Sequence, residues 1–120
     1  MERFVEVLTS ASNRPLVYYL DICARCGACT HACHFYETSG EIIHAPAYRA
    51  ELLRRIIRRR KFLLGRVFPW FQEATEPDER LIDEIERAMW ECTGCRRCAV
   101  YCPFDIDAAW FVSLSRRALL

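Results

Sequence analysis

The chain has 120 residues, 52% of them hydrophobic, and 17 Lys and Arg against 16 Asp and Glu, for a formal net charge of +1. That length supports one core and not two, so a single domain over residues 1–120, complete or part of a longer protein, is expected. Balanced charge removes any electrostatic case for nucleic acid, and no apolar run approaches the roughly 20 residues of a membrane span.

Phe4, Val5 and Leu8 stand at helical spacing before Ser10, Ser12 and Asn13 break the pattern, which predicts a short helix or an arm. Leu16-Val17-Tyr18-Tyr19-Leu20-Asp21-Ile22 then delivers the chain into Cys23-Ala24-Arg25-Cys26-Gly27-Ala28-Cys29-Thr30-His31-Ala32-Cys33. Its bulky side chains read either as a lid over whatever those cysteines hold or as ordinary core. His34-Phe35-Tyr36-Glu37 is expected to continue a helix that Ser39-Gly40 stops, with Gly40 as C-terminal cap. His31, His34 and His44 are expected to hydrogen-bond nearby backbone rather than to ligate metal.

Fifty-eight residues separate Cys33 from Cys92. Pro46 suits the first turn of a helix in which Tyr48, Leu52, Leu53, Ile56 and Ile57 form an apolar stripe. Arg49, Arg54, Arg55, Arg58, Arg59, Arg60 and Lys61 are expected on its opposite, solvent face. Phe62 to Phe71 follows as an apolar, aromatic stretch interrupted by Gly65 and Pro69. From Arg54 to Phe71, a basic amphipathic helix beside aromatic residues fits contact with a membrane surface or a partner protein; a solvated basic face with the aromatic residues in the core is the alternative. Thr75 and Asp78 form a capping-box-like pair, with Pro77 in the first turn of the next helix. That helix turns Leu81, Ile82, Ile85, Ala88 and Met89 inward, and Glu76, Asp78, Glu79, Asp83, Glu84 and Glu86 outward. Its acidic side is expected to pair antiparallel with the basic helix, and none of its carboxylates is read as catalytic.

Trp90 and Glu91 lead into Cys92-Thr93-Gly94-Cys95-Arg96-Arg97-Cys98-Ala99-Val100-Tyr101-Cys102-Pro103, where Gly94 permits the turn and Cys95 to Cys102 is expected to be helical. Arg96 and Arg97 place positive charge beside these cysteines, suited to an acidic partner. Phe104-Asp105-Ile106 turns the chain, and Asp107 caps a last helix from Ala108 to Leu120 with Trp110, Phe111 and Leu114 inward. The final Leu119-Leu120 has no cap or polar tail, as in a domain cut from a longer protein or a terminus that docks elsewhere.

Both cysteine runs read C-x2-C-x2-C-x3-C, and they use all eight cysteines. This spacing, with Pro after the last cysteine, is the bacterial way of holding 4Fe-4S clusters; the second run has that Pro103, whereas the first departs from it with His34 after Cys33. Two-residue gaps let three thiolates wrap one corner of a cube. The fourth cysteine lies about 6 Å further along a helix and points beside that cube. Exchange is the economical solution: Cys23, Cys26, Cys29 and Cys102 hold one 4Fe-4S cluster, and Cys92, Cys95, Cys98 and Cys33 hold the other. Zinc knuckles have no use for a third cysteine at the next two-residue step, and a chain this long and apolar needs no disulfide scaffold. Loaded with two clusters, each near −2 with its thiolates, the protein is expected to be mildly acidic. Eight thiolates awaiting iron place it in a reducing compartment, in the cytoplasm or peripherally on the cytoplasmic face of a membrane.

These paired runs with a helical insertion resemble the alpha-helical ferredoxin family, whose members include iron-sulfur subunits of heterodisulfide reductase and of anaerobic glycerol-3-phosphate dehydrogenase and the C-terminal half of the succinate dehydrogenase iron-sulfur protein. Cys29-Thr30-His31-Ala32-Cys33-His34-Phe35-Tyr36 looks most similar to heterodisulfide-reductase-like iron-sulfur subunits of the membrane complex linked to dissimilatory sulfite reduction. The resemblance covers Tyr18 to about Val112. It implies an all-α fold and a wire between a membrane cytochrome b or flavoprotein and a catalytic disulfide-reducing unit with CCG-type repeats. This chain has no Cys-Cys pair, so it reads as an electron-transfer module rather than the enzyme. Direct action on a disulfide or quinol, and a zinc-stabilised interaction module, are the rival readings.

Overall fold

The structure, a computed structural model, describes residues 1–10, 14–70 and 75–120, and among them every regular element is helical. Helix α1, Glu2–Thr9, buries Phe4, Val5 and Leu8, as their spacing predicts. Ser12 and Asn13, expected to end it, lie outside the described residues, as does Phe71 at the end of the aromatic stretch. Helix α2, Arg14–Ile22, buries Leu16 and Leu20. Tyr18 faces solvent, and the Tyr19 ring meets Trp110 edge-on at 5.7 Å between centroids, so these side chains serve mainly as core and its margin.

Helices α3, Ala28–Ala32, and α4, His34–Ser39, are separate, because Cys33 takes extended backbone between them (φ −78°, ψ 109°). Gly40 ends α4 in the left-handed region, the conformation that makes glycine the favoured residue there. A 3-10 turn, Ile42–His44, leads into α5, Pro46–Lys61, which starts on its proline as expected. The short α6, Leu63–Val67, follows directly. Helix α7, Glu79–Trp90, begins later than the sequence suggests: Asp78 is itself the cap, accepting the Leu81 amide at 2.8 Å, and Thr75 and Pro77 precede the helix. Helix α8, Arg97–Tyr101, leaves Cys95 and Arg96 outside, because Arg96 adopts positive φ. Helix α9, Ala108–Leu119, is capped by Asp107, whose carboxylate accepts the Trp110 amide.

Helix α5 is the central strut and packs against α1, α2, α3, α7 and α9. Leu52, Leu53 and Ile56 have no exposed surface, and each such side chain contributes roughly 1.5–3 kcal/mol of burial. From α9, Phe111 and Val112 are buried, joined by Ser115 and Ala118, whereas Trp110 and Leu114 sit at the margin. The expected solvent face of α5 is corrected at two positions. Arg49 and Arg54 are 2% and 3% exposed. Arg54 donates from Nε and Nη2 to the Leu20 carbonyl at 3.0 and 2.6 Å, and Arg49 donates from Nε to the Ala88 carbonyl at 2.7 Å.

Both carbonyls lie in the last turns of helices α2 and α7, where helix geometry leaves oxygen atoms without an intrahelical partner. Arg116 of α9 reinforces the second, donating to Met89, Trp90 and Cys92 carbonyls. The two helices that feed the two cysteine loops are thus each terminated by buried arginine. The expected charge pairing of α5 with α7 is local: the Tyr48 hydroxyl donates to Glu84 at 2.6 Å, and Glu76, ahead of α7, meets Arg59 at 2.5 Å. Apolar faces carry the rest of that contact. No helix among the described residues is long and apolar enough to cross a membrane.

Candidate metal centre

The two cysteine loops fold alike. In each, the residues on either side of the second cysteine have positive φ: Arg25 (55°) and Gly27 (79°) around Cys26, and Gly94 (69°) and Arg96 (61°) around Cys95. Glycine occupies one of the two positions in each loop, and the positions are swapped. Each loop then enters a five-residue helix, α3 or α8, that ends on its fourth cysteine in extended backbone. Cys33 donates its amide to the Thr30 carbonyl at 3.1 Å, and Cys102 donates to Ala99 at 3.2 Å.

Helices α3 and α8 pack against each other, and this contact determines which sulfurs gather. One cavity is lined by Cys23, Cys26, Cys29 and Cys102, with Ala47, Phe104 and Ile106 among its walls. A second is lined by Cys33, Cys92, Cys95 and Cys98, with Phe35, Arg49 and Val112 among its walls. Each therefore takes three cysteines from one run and the last cysteine of the other. Cys26 and Cys95 are exposed, and the remaining six are half-buried.

Burial pushes the Cys98 thiol up to about 11, and the neighbouring Cys92, Cys29 and Cys95 add to that rise. Cys29 belongs to the other quartet, so the two sets of sulfur lie close enough to sense one another. The Cys29 thiol is also raised, chiefly by burial and further by Cys23, Cys102 and Cys26, against the opposing hydrogen bond of Thr30. Thiolates crowded in this way are stabilised by a group that brings positive charge between them. Among the described residues no set of three or more Cys, His, Asp or Glu is placed to hold a single metal ion. A four-iron cube takes each thiolate at its own corner and spreads the sulfurs wider than one ion would, so the all-cysteine donor sets fit such a cube.

The histidines are not placed as expected. His44, 4% exposed, bonds through side chains: Nδ1 with the Ser39 hydroxyl at 2.5 Å and Nε2 with a Glu91 carboxylate oxygen at 2.6 Å. Its carbonyl faces the Cys33 sulfur at 3.6 Å. His34 Nδ1 lies 3.9 Å from Cys95 Sγ, and His31 is exposed. The Gly94 amide points at Cys92 Sγ from 3.4 Å, a donor of the kind that tunes a metal-bound sulfur. Arg96 is engaged within the chain by Asp107 rather than presented alone to a partner, and Arg97 lies 5.9 Å over the Tyr101 ring. The helix-capping role of Asp107 is legible in the sequence; its pairing with Arg96 is not.

Curated relatives are similar to this chain. Over 98% of the chain it is 38% identical to the "Hdr-like menaquinol oxidoreductase iron-sulfur subunit 2" of Archaeoglobus fulgidus. Over 99% it is 37% identical to the "Hdr-like menaquinol oxidoreductase iron-sulfur subunit" of Archaeoglobus profundus. A "Probable glycolate oxidase iron-sulfur subunit" of Bacillus subtilis is 32% identical over 70% of the chain. The chain spans 22%, 21% and 15% of these relatives' lengths, so it corresponds to one portion of each. No solved structure matches it. The family described as the 4Fe-4S dicluster domain matches residues 19–106, a stretch that includes both cavities' cysteines, and the chain belongs to that family.

Proposed function

We propose that Cys23, Cys26, Cys29 and Cys102 hold one 4Fe-4S cluster, that Cys33, Cys92, Cys95 and Cys98 hold a second, and that the domain relays electrons between them. The observation that carries this reading is the exchange of the fourth cysteine between two cavities lined by the loops that lead into and out of the paired helices α3 and α8. When bound, each cluster supplies a one-electron carrier. The chain's own residues supply the rest: two short helices fix the spacing, and Cys26 and Cys95 bring one ligand of each set to the surface, where electrons enter or leave.

The relatives' names support a place in a quinol-linked oxidoreductase, with a membrane cytochrome b, a flavoprotein or a CCG-domain protein as redox partner. Four cysteines at each cavity leave no open ligand position, which favours relay over direct reduction of a disulfide or oxidation of a quinol. The segment around α6 is suited to rest on a membrane surface: Leu63, Leu64, Val67, Phe68 and Trp70 are exposed beside the exposed Arg60, Lys61 and Arg66. Anaerobic preparation is expected to give about eight iron and eight acid-labile sulfides per chain with brown absorption. Two zinc ions without sulfide would overturn the reading in favour of a zinc-stapled interaction module.

A further inference from the structure

Among the described residues, Arg49 is the one side chain of the second cavity whose hydrogen bonding is incomplete and whose charge is removed from water. It lines the cavity together with Cys33, Cys92, Cys95 and Cys98 and is 2% exposed. Its Nε is spent on the Ala88 carbonyl, whereas its Nη2 is buried without a hydrogen-bond partner. A buried donor left in that state is costly, and a guanidinium more so than a neutral group. An electron-rich sulfur in the cavity that Arg49 lines is an acceptor of the kind that would satisfy it.

Among the described residues the first cavity has no equivalent. Its arginine, Arg25, is 47% exposed at the side chain and faces Glu51 at 3.2 Å, so water and a carboxylate offset its charge. The other cations of the second cavity are likewise moderated, Arg96 by Asp107 and Arg97 by exposure over Tyr101. Of these cations, Arg49 alone acts from the interior, where a charge is felt most strongly.

Resting on the two-cluster reading above, we infer that Arg49 Nη2 donates a hydrogen bond to a sulfur of the group in the second cavity and makes that cavity the more readily reduced of the two. Added negative charge on the group is stabilised by the donor and by the cation, and the first cavity has no buried guanidinium among the described residues, its Arg25 being half-exposed and paired with Glu51. The fold thereby builds a downhill direction into the relay, from the Cys23 side toward the Cys92 side. A purely structural Arg49, anchoring α7 through Ala88, would leave both potentials where they are.

The test is a redox titration of the loaded domain followed by electron paramagnetic resonance, with iron and sulfide counted first. Two midpoints are expected, and a Cys95→Ser protein is expected to disturb the upper one while Cys26→Ser disturbs the lower. Arg49→Met is expected to lower the upper midpoint and leave the other unchanged; Arg49→Lys lowers it less. Unmoved midpoints in fully loaded Arg49→Met protein, equal movement of both, or assignment of the lower midpoint to the second cavity would overturn the inference. If Arg49→Met does not retain both clusters, Arg49→Lys against Arg49→Gln decides: a higher midpoint with Lys supports the inference, and equality overturns it. Wild-type protein that never takes up two clusters refutes the two-cluster reading itself, and iron analysis registers that separately.

Discussion

Glu91, the residue before the second cysteine run, ties three elements together: it accepts from Arg87 of α7 at 3.0 Å and meets His44 of the 3-10 turn at 2.6 Å. Arg87 first, and His44 second, hold the Glu91 carboxyl below its usual range. A carboxylate depressed on folding adds stability above its unfolded value, near 4.3, and that contribution is lost as pH falls through the lower folded value. Glu91→Gln is therefore expected to lower the thermal midpoint at pH 7, with the gap to wild type closing as pH falls toward 4 and below. A gap that stays constant across a pH series of melts would assign the loss to packing instead. Legibility at this scale is uneven. The cysteines are plain because their repeated spacing suits iron-sulfur ligation far better than zinc or a disulfide scaffold, yet charge alone places Arg49 in solvent. Helical spacing argues otherwise, since Leu52, Leu53 and Ile56 follow it at three, four and seven residues on the buried stripe.

At the scale of elements, the helices are legible where periodicity runs long, as in α5 and α7, and less so around the cysteines. The break at Cys102 is legible, because Pro103 after it forces extended backbone, whereas nothing in the composition around Cys33 marks the break there. Arg25 and Arg96 adopt positive φ against the preference of any residue with a side chain, and their composition does not announce it. The stretch after α5 is apolar and exposed, as its sequence suggests, with Leu63 74% and Trp70 79% accessible. If α6 and its flanks rest on a lipid surface, the domain is expected to co-sediment with anionic vesicles and not with neutral ones. Leu63→Ser is then expected to weaken that binding about tenfold, roughly 1.4 kcal/mol and just below the range for a fully buried leucine, as suits a side chain only partly inserted. Absence of binding to either vesicle would leave this face to a protein partner.

The whole molecule, 38 × 27 × 27 Å, is a helical body whose ends are brought together at one place. Cys23 and Cys102 stand far apart in sequence and line the same cavity, as do Cys33 and Cys92. The all-α fold is what the family resemblance implies, and the apolar stripes of α1, α5, α7 and α9 agree with it. The pairing of cavities follows from the one-turn offset of each fourth cysteine. The arginine struts that terminate α2 and α7 do not, since the oxygen atoms they satisfy belong to segments remote in sequence. The most direct test of crossed ligation compares paramagnetic resonance spectra of reduced Cys102→Ser, Cys26→Ser and Cys95→Ser proteins. Crossed ligation predicts that Cys102→Ser reproduces the change made by Cys26→Ser and leaves intact the signal that Cys95→Ser removes; a Cys102→Ser spectrum matching Cys95→Ser would contradict it.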